Sequence, residues 1–163
     1  MMRAFLFWLT GYLPCRIIAD AGQPYLERYY VATFLGWQFY LHRFVASDPD
    51  RGLHDHPWPR AFSIILAGQY WEETRSGRRL VRWFNSLTGD TFHRVVLPHV
   101  GLYEFPCWTL FFHRAKRTKP WGFWRPLGTG AIFEPYLYPK EGDQTEWWTR
   151  APKGRDEPRR LPR

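Results

Sequence analysis

The feature that most constrains this chain is its punctuation. From Tyr25 onward, short runs of β-forming residues alternate with Gly, Pro and Asp turn signals at roughly 8 to 12 residue spacing, with no sustained helical period. Tyr29, Tyr30, Val31, Thr33 and Phe34 are stopped by Gly36, and Trp37 to Val45 follows with apolar residues on both faces. Ser47 to Gly52 is turn chemistry. Phe62 to Leu66 and Tyr70 to Thr74 flank Gly68-Gln69 as a hairpin, and Arg75 to Arg79 is an exposed tip. Further strands are read at Leu80 to Phe84, Thr91 to Leu97, Cys107 to His113, Trp121 to Trp124 and Ala131 to Tyr138. Roughly nine or ten short strands without an internal repeat predict an all-β sandwich or barrel.

Length and composition fit that reading. A chain of 163 residues, 45% hydrophobic, can bury one core, and 20% aromatic residues can fill a wide barrel. Three segments are expected: an N-terminal helix and lead-in over 1–24, a barrel over 25–139, and a flexible basic tail over 140–163. The helix is read over residues 2 to 13, ended by Gly11 and Pro14 and packed on the barrel. The apolar start mimics a secretory leader, but Arg16 spoils the pattern before Ala19-Asp20-Ala21, and about ten apolar residues cannot span a bilayer. Cys15 and Cys107, with no C-x-x-C pair, provide neither a disulfide framework nor a zinc finger, so a reducing, cytoplasmic setting is expected. The net charge is +8, but the tail from Arg150 carries six basic residues against Asp156 and Glu157, half of that excess. A nucleic-acid partner therefore has only bulk charge in its favour.

The chemistry concentrates at His54-Asp55-His56. In an extended strand alternate side chains share a face, so the two imidazoles would stand about 7 Å apart along the backbone and could grip one metal ion. Asp55 would point the other way. Pro57 and Pro59 remove ladder donors and should bend the chain directly after the pair. Beyond it, Gly89-Asp90 turns into a strand that leads through His93 to Pro98-His99.

These residues resemble the cupin superfamily. His54, His56 and Gly68 match the spacing of the first cupin motif, and Gly89-Asp90 with His99 resembles the second, with His93 as the alternative third histidine. The slot for the motif's glutamate holds Ala61 and the opening glycine slot holds Asp48. The runs YLERYY, LHRF, SDPDR, LHDHPW, WTLFF and WGF look like small bacterial and phage cupins of unassigned role. The resemblance covers about residues 25 to 125. It implies a single cupin double-stranded β-helix, or jelly-roll barrel, with a metal held by His54, His56 and His99. Without the glutamate, two sites remain open: a three-His centre similar to the thiol dioxygenase branch, or a fourth ligand from Asp55, Glu72, Glu73 or Glu104. Sheet pairing into a homodimer is also implied.

Three neutral imidazoles suit Fe(II), Zn, Ni, Mn or Cu and leave positions for substrate; Fe(II) is the favoured ion. Arg43 and Tyr70 are the expected catalytic residues, orienting a small-molecule substrate, with Ser63, Trp108, Thr109 and His113 as further pocket candidates. A buried Arg43 needs an anion, either Asp48, Asp50 or a substrate carboxylate. The reading is thus a metal-binding cupin acting as a mononuclear Fe(II) oxygenase. Its rivals are a non-catalytic ligand-binding module and a basic nucleic-acid or phage accessory protein. No nucleophile elbow, glycine-rich phosphate loop or glycosidase-like carboxylate pair is present.

Overall fold

The computed structural model describes residues 1–137 and 146–162. One helix, α1 (Met2–Thr10), precedes fourteen strands. These are β1 (Cys15–Asp20), β2 (Gln23–Phe34), β3 (Trp37–Phe44), β4 (Leu53–His54), β5 (Arg60–Ala67), β6 (Tyr70–Thr74), β7 (Gly77–Val81), β8 (Phe84–Thr88), β9 (His93–Val96), β10 (His99–Val100), β11 (Tyr103–Glu104), β12 (Cys107–Arg114), β13 (Gly122–Leu127) and β14 (Gly130–Pro135). They form two six-stranded antiparallel sheets, ordered β1-β2-β3-β12-β5-β8 and β14-β13-β4-β9-β6-β7, with β10 and β11 as a separate hairpin. From β3 to β9 the chain crosses between the two sheets repeatedly, pausing only at the β6–β7 hairpin, which is the jelly-roll expected. No helix among the described residues is long and apolar enough to cross a membrane.

The sheets face each other over two apolar clusters. One holds Leu26, Phe44, Ile65, Tyr70, Val81, Val95 and Leu97; the other holds Tyr40, Ala61, Leu87, Phe111 and Trp147. Period-two alternation sets these faces: on β3, Tyr40, His42 and Phe44 point between the sheets while Leu41 and Arg43 point away. Where Leu80 to Phe84 reads as one strand, the chain breaks at Arg82-Trp83 and crosses from β7 in one sheet to β8 in the other. The lead-in also holds more than a helix, because β1 pairs with β2 from Cys15↔Tyr29 onward.

The outer face of the first sheet carries its own core. A nine-residue helix is marginal alone, so α1 depends on burying Leu6, with Phe7 and Leu9, against Tyr29, Leu41 and Trp108. The expected mobile tail is instead packed over residues 146–162, while the expected Lys140 to Gln144 loop and the end of the last strand at Tyr138 lie outside the described residues. Trp148 stacks on Tyr30 at 4.2 Å, Pro14 bridges to Lys153, and Gly154 N donates to Leu13 O at 2.9 Å. A side chain at Gly154 would meet Thr10 O at 2.3 Å, so only glycine allows the tail this close to the helix end. Aromatic and backbone contacts order what composition alone makes look disordered.

Candidate metal centre

The pocket lies between the two apolar clusters, a cavity of about 440 Å³ whose wall includes His54, His56 and His93. His54 ends β4 and pairs in register with His93 on β9, which places both rings on the inner face. His56 follows the strand's end. Asp55, pointing oppositely as expected, is buried at 2% exposure, accepts from Gly122 N at 2.8 Å and pairs with Lys119 Nζ at 2.7 Å. That anchor, with Pro57 and Pro59 beyond it, replaces ladder pairing in holding the His56 backbone.

The three rings form a triangle with centroids 4.8, 5.1 and 5.2 Å apart, and one nitrogen from each lies within 4.8 Å of the others. Nε2 of His56 and Nε2 of His93 face each other at 2.9 Å. Nitrogens bound cis to one metal at about 2.1 Å stand about 3 Å apart, so this edge already has ligated dimensions. His93 is backed by Glu72, whose Oε1 lies 3.0 Å from its Nδ1. Burial pushes the Glu72 carboxyl upward, but hydrogen bonds from His93 and Asn85 together outweigh it and leave the group below its ordinary value. An ionised Glu72 makes His93 Nδ1 the donor and turns the Nε2 lone pair into the cavity. Burial, followed by the neighbouring His93, holds His54 and His56 well below the usual imidazole range, so both are neutral and able to ligate. The donor set fits a divalent metal.

His99, the expected third ligand, does not join them. It is exposed on β10, with Nδ1 3.2 Å from Gly101 O. Pro98 ends the inward run of His93, Val95 and Leu97, and the chain turns out into the β10–β11 hairpin before His99 can face inward. The alternative, His93, takes the place.

Arg43 is corrected too. It sits on the outward parity of β3, 2% exposed, with Glu27 as its anion at 3.2 Å rather than Asp48 or Asp50. Its guanidinium lies between the rings of Phe7 and Trp108 and donates to the backbone carbonyls of Arg160 and Leu161. It is structural and separated from the cavity by the sheet, as is Trp108. Tyr70 and Ser63 do line the cavity. Tyr70 Oη accepts from Asn85 Nδ2 at 3.1 Å, and burial drives its phenol far above the ordinary value, keeping it protonated. Thr109 is fully buried, and His113 is packed at 3.6 Å on Trp58, with burial pushing it down to about 3.

The four acids considered as a fourth ligand are each engaged elsewhere. Asp55 is on Lys119, Glu73 on Arg94, Glu104 on Ser47, and Glu72 stands behind His93 with Arg79 and Asn85. The inward Ala61 sits in the apolar cluster, so nothing replaces the motif's glutamate there.

No family model and no curated protein matches this sequence. Solved structures do. The chain is similar to Rru_A2000 from Rhodospirillum rubrum, a cupin-2 domain, at TM-score 0.56 and 13% identity over 72% of this chain and 78% of that one. It is similar to Fe(II) HppE at TM-score 0.50 and 10% identity, covering 62% of this chain and 56% of that one, just over half of its length. A cupin-superfamily sugar phosphate isomerase, SPO2919 from Silicibacter pomeroyi, aligns at TM-score 0.49 and 13% identity over 68% of this chain and 76% of that one.

Proposed function

Since this chain has the cupin fold, we propose that it binds one divalent metal through His54, His56 and His93 and acts as a mononuclear oxygenase on a small molecule, with Fe(II) as the favoured ion. One observation carries the reading: two imidazole Nε2 atoms meet at 2.9 Å on a cavity wall, one of them oriented by a buried carboxylate. Fe(II) held by these three imidazoles would supply Lewis acidity and one-electron chemistry. The protein's own part is to exclude water with aromatic walls, to hold His93 in one tautomer through Glu72, and to offer the protonated Tyr70 Oη as a hydrogen-bond donor to substrate. Asn85 already donates to that oxygen, which leaves its proton for another acceptor.

Elemental analysis of protein purified without a His tag tests the reading. About one equivalent of divalent metal is expected, lost in His93→Ala and retained in His99→Ala. Wild-type protein that takes up no metal, or a His93→Ala variant that keeps its full complement, overturns it. Ligand binding that persists unchanged in chelator would support the non-catalytic module instead.

A further inference from the structure

The helix α1 has its polarity reversed. A surface helix ordinarily buries an apolar stripe and turns its charged side outward, whereas here both polar side chains turn in. Arg3 Nη1 donates to Pro106 O at 2.9 Å, and the fully buried Thr10 donates to Leu6 O at 2.7 Å. Phe5, Trp8 and, in the turn beyond, Tyr12 point out at 53, 57 and 51% exposure, with ring centroids 6.1 and 5.4 Å apart along the row.

The sheet beside the helix continues the same surface. Two residues along the strands from Leu41 and Leu110, where α1 packs, the outward positions become Phe39 and Phe112. With Phe62 and the exposed Phe84 they make a row of rings across β3, β12, β5 and β8, at 5.4, 5.3 and 5.7 Å between centroids. Among the described residues, the outward positions of these four strands hold no carboxylate. Their charges beyond the buried Arg43 are the exposed Arg60 and Arg114, the latter over the Trp37 ring at 4.8 Å. At the end of the helix Arg155 lies over the Tyr12 ring at 5.4 Å, with Asp156 3.9 Å away. One side of the molecule thus combines rings with guanidiniums.

That composition selects among occupants. A second copy docked face to face would set arginine on arginine, and a nucleic-acid backbone offers nothing apolar to the outward rings of a helix. An anionic lipid surface supplies phosphates for the arginines and an apolar layer just beneath them. The nine residues of α1 rise only about 14 Å, so the helix can lie in the interface but not cross it. We propose that this side of the molecule docks on an anionic phospholipid bilayer, with Phe5, Trp8 and Tyr12 entering the headgroup boundary and Arg60, Arg114 and Arg155 meeting the phosphates. The metal centre takes no part in it.

Co-sedimentation of the full chain with phosphatidylcholine vesicles, with and without about 30% phosphatidylserine, tests it. Binding to the anionic vesicles should exceed binding to the neutral ones at least about tenfold and fall steeply as salt is raised. Phe5→Gln combined with Trp8→Gln should weaken it about tenfold or more, and Arg60→Gln and Arg114→Gln about fivefold each. All four side chains are exposed, so metal content and thermal unfolding should not change; if the paired ring variant does not fold, the arginine variants carry the test. Leu127→Gln, just as exposed but on the β13–β14 hairpin of the other sheet, should leave binding unaltered. His93→Ala should sediment like wild type, which separates this inference from the metal reading. No binding to either vesicle, equal binding to both, or wild-type binding by the folded ring variant or by both arginine variants overturns the inference. So does a wild-type dimer in light scattering that the ring variant dissolves, or a DNA oligonucleotide held more tightly than the anionic vesicles, since these would give the face to a second copy or to nucleic acid.

Discussion

The two faces of β3 make opposite use of buried charge. On the outer face Arg43 has its charge paired, with Glu27, two backbone carbonyls and two aromatic rings around it, and Glu27 in turn accepts from Tyr29 Oη at 2.7 Å and Arg160 N at 2.8 Å. On the inner face the rings of His54, His56 and His93 instead turn nitrogens toward one another on a cavity wall. Burial by itself therefore does not mark a site. A charge paired where it stands marks a scaffold, and ring nitrogens gathered on a cavity wall and held from behind mark a place where something binds.

Breaking each side should give different signatures. The largest loss of stability is expected from Glu27→Ala, which leaves Arg43 buried without its counter-charge and should cost about 3–5 kcal/mol in urea denaturation while leaving the metal content of the folded fraction unchanged. Glu72→Gln tests the inner face. Removing the charge that orients His93 should lower metal affinity about 10–100-fold in a competitive chelator titration. The outer-face variant should not share that effect.

The smallest effect is a pH slope. Folded His113 stays neutral down to about 3, whereas its unfolded form charges near 6.5. Below about 6.5 the unfolded chain thus binds more protons. The contribution of this residue is complete above that pH and is lost as pH falls toward 3, by about 1.4 kcal/mol per unit. His113→Phe should flatten the stability profile of metal-free protein across this window, and an unchanged slope would show that the ring is solvated.

Much of this architecture was legible in the chain. β6 runs from Tyr70 to Thr74 as read, α1 and β3 begin where expected, and turn chemistry marks most sheet-to-sheet crossings. The third histidine was harder because motif spacing counts residues, whereas the site depends on which strand still faces inward. His93 and His99 have the same parity, and the chain decides between them by ending β9 at Val96 and turning out at Pro98. Arg43 was misplaced for a related reason: with apolar residues on both faces of β3, alternation shows that two sides exist but not which one is the interior. Glu72 carried a weak signal, being two residues from Tyr70 on the same strand and hence on its face. The order of the tail had none in composition, since it depends on contacts with α1, β1 and β2 far away in the chain.

One missing atom has consequences for the histidine cluster. A Cβ at Gly89 would lie 2.8 Å from Trp58 O and 3.3 Å from His56 O, so the turn after β8 rests directly on the backbone that carries a ligand. Any larger residue at position 89 must displace that peptide by some tenths of an ångström. The place of the His56 ring, and with it the spacing of the three imidazoles, is in that sense set from a turn that bears no donor of its own.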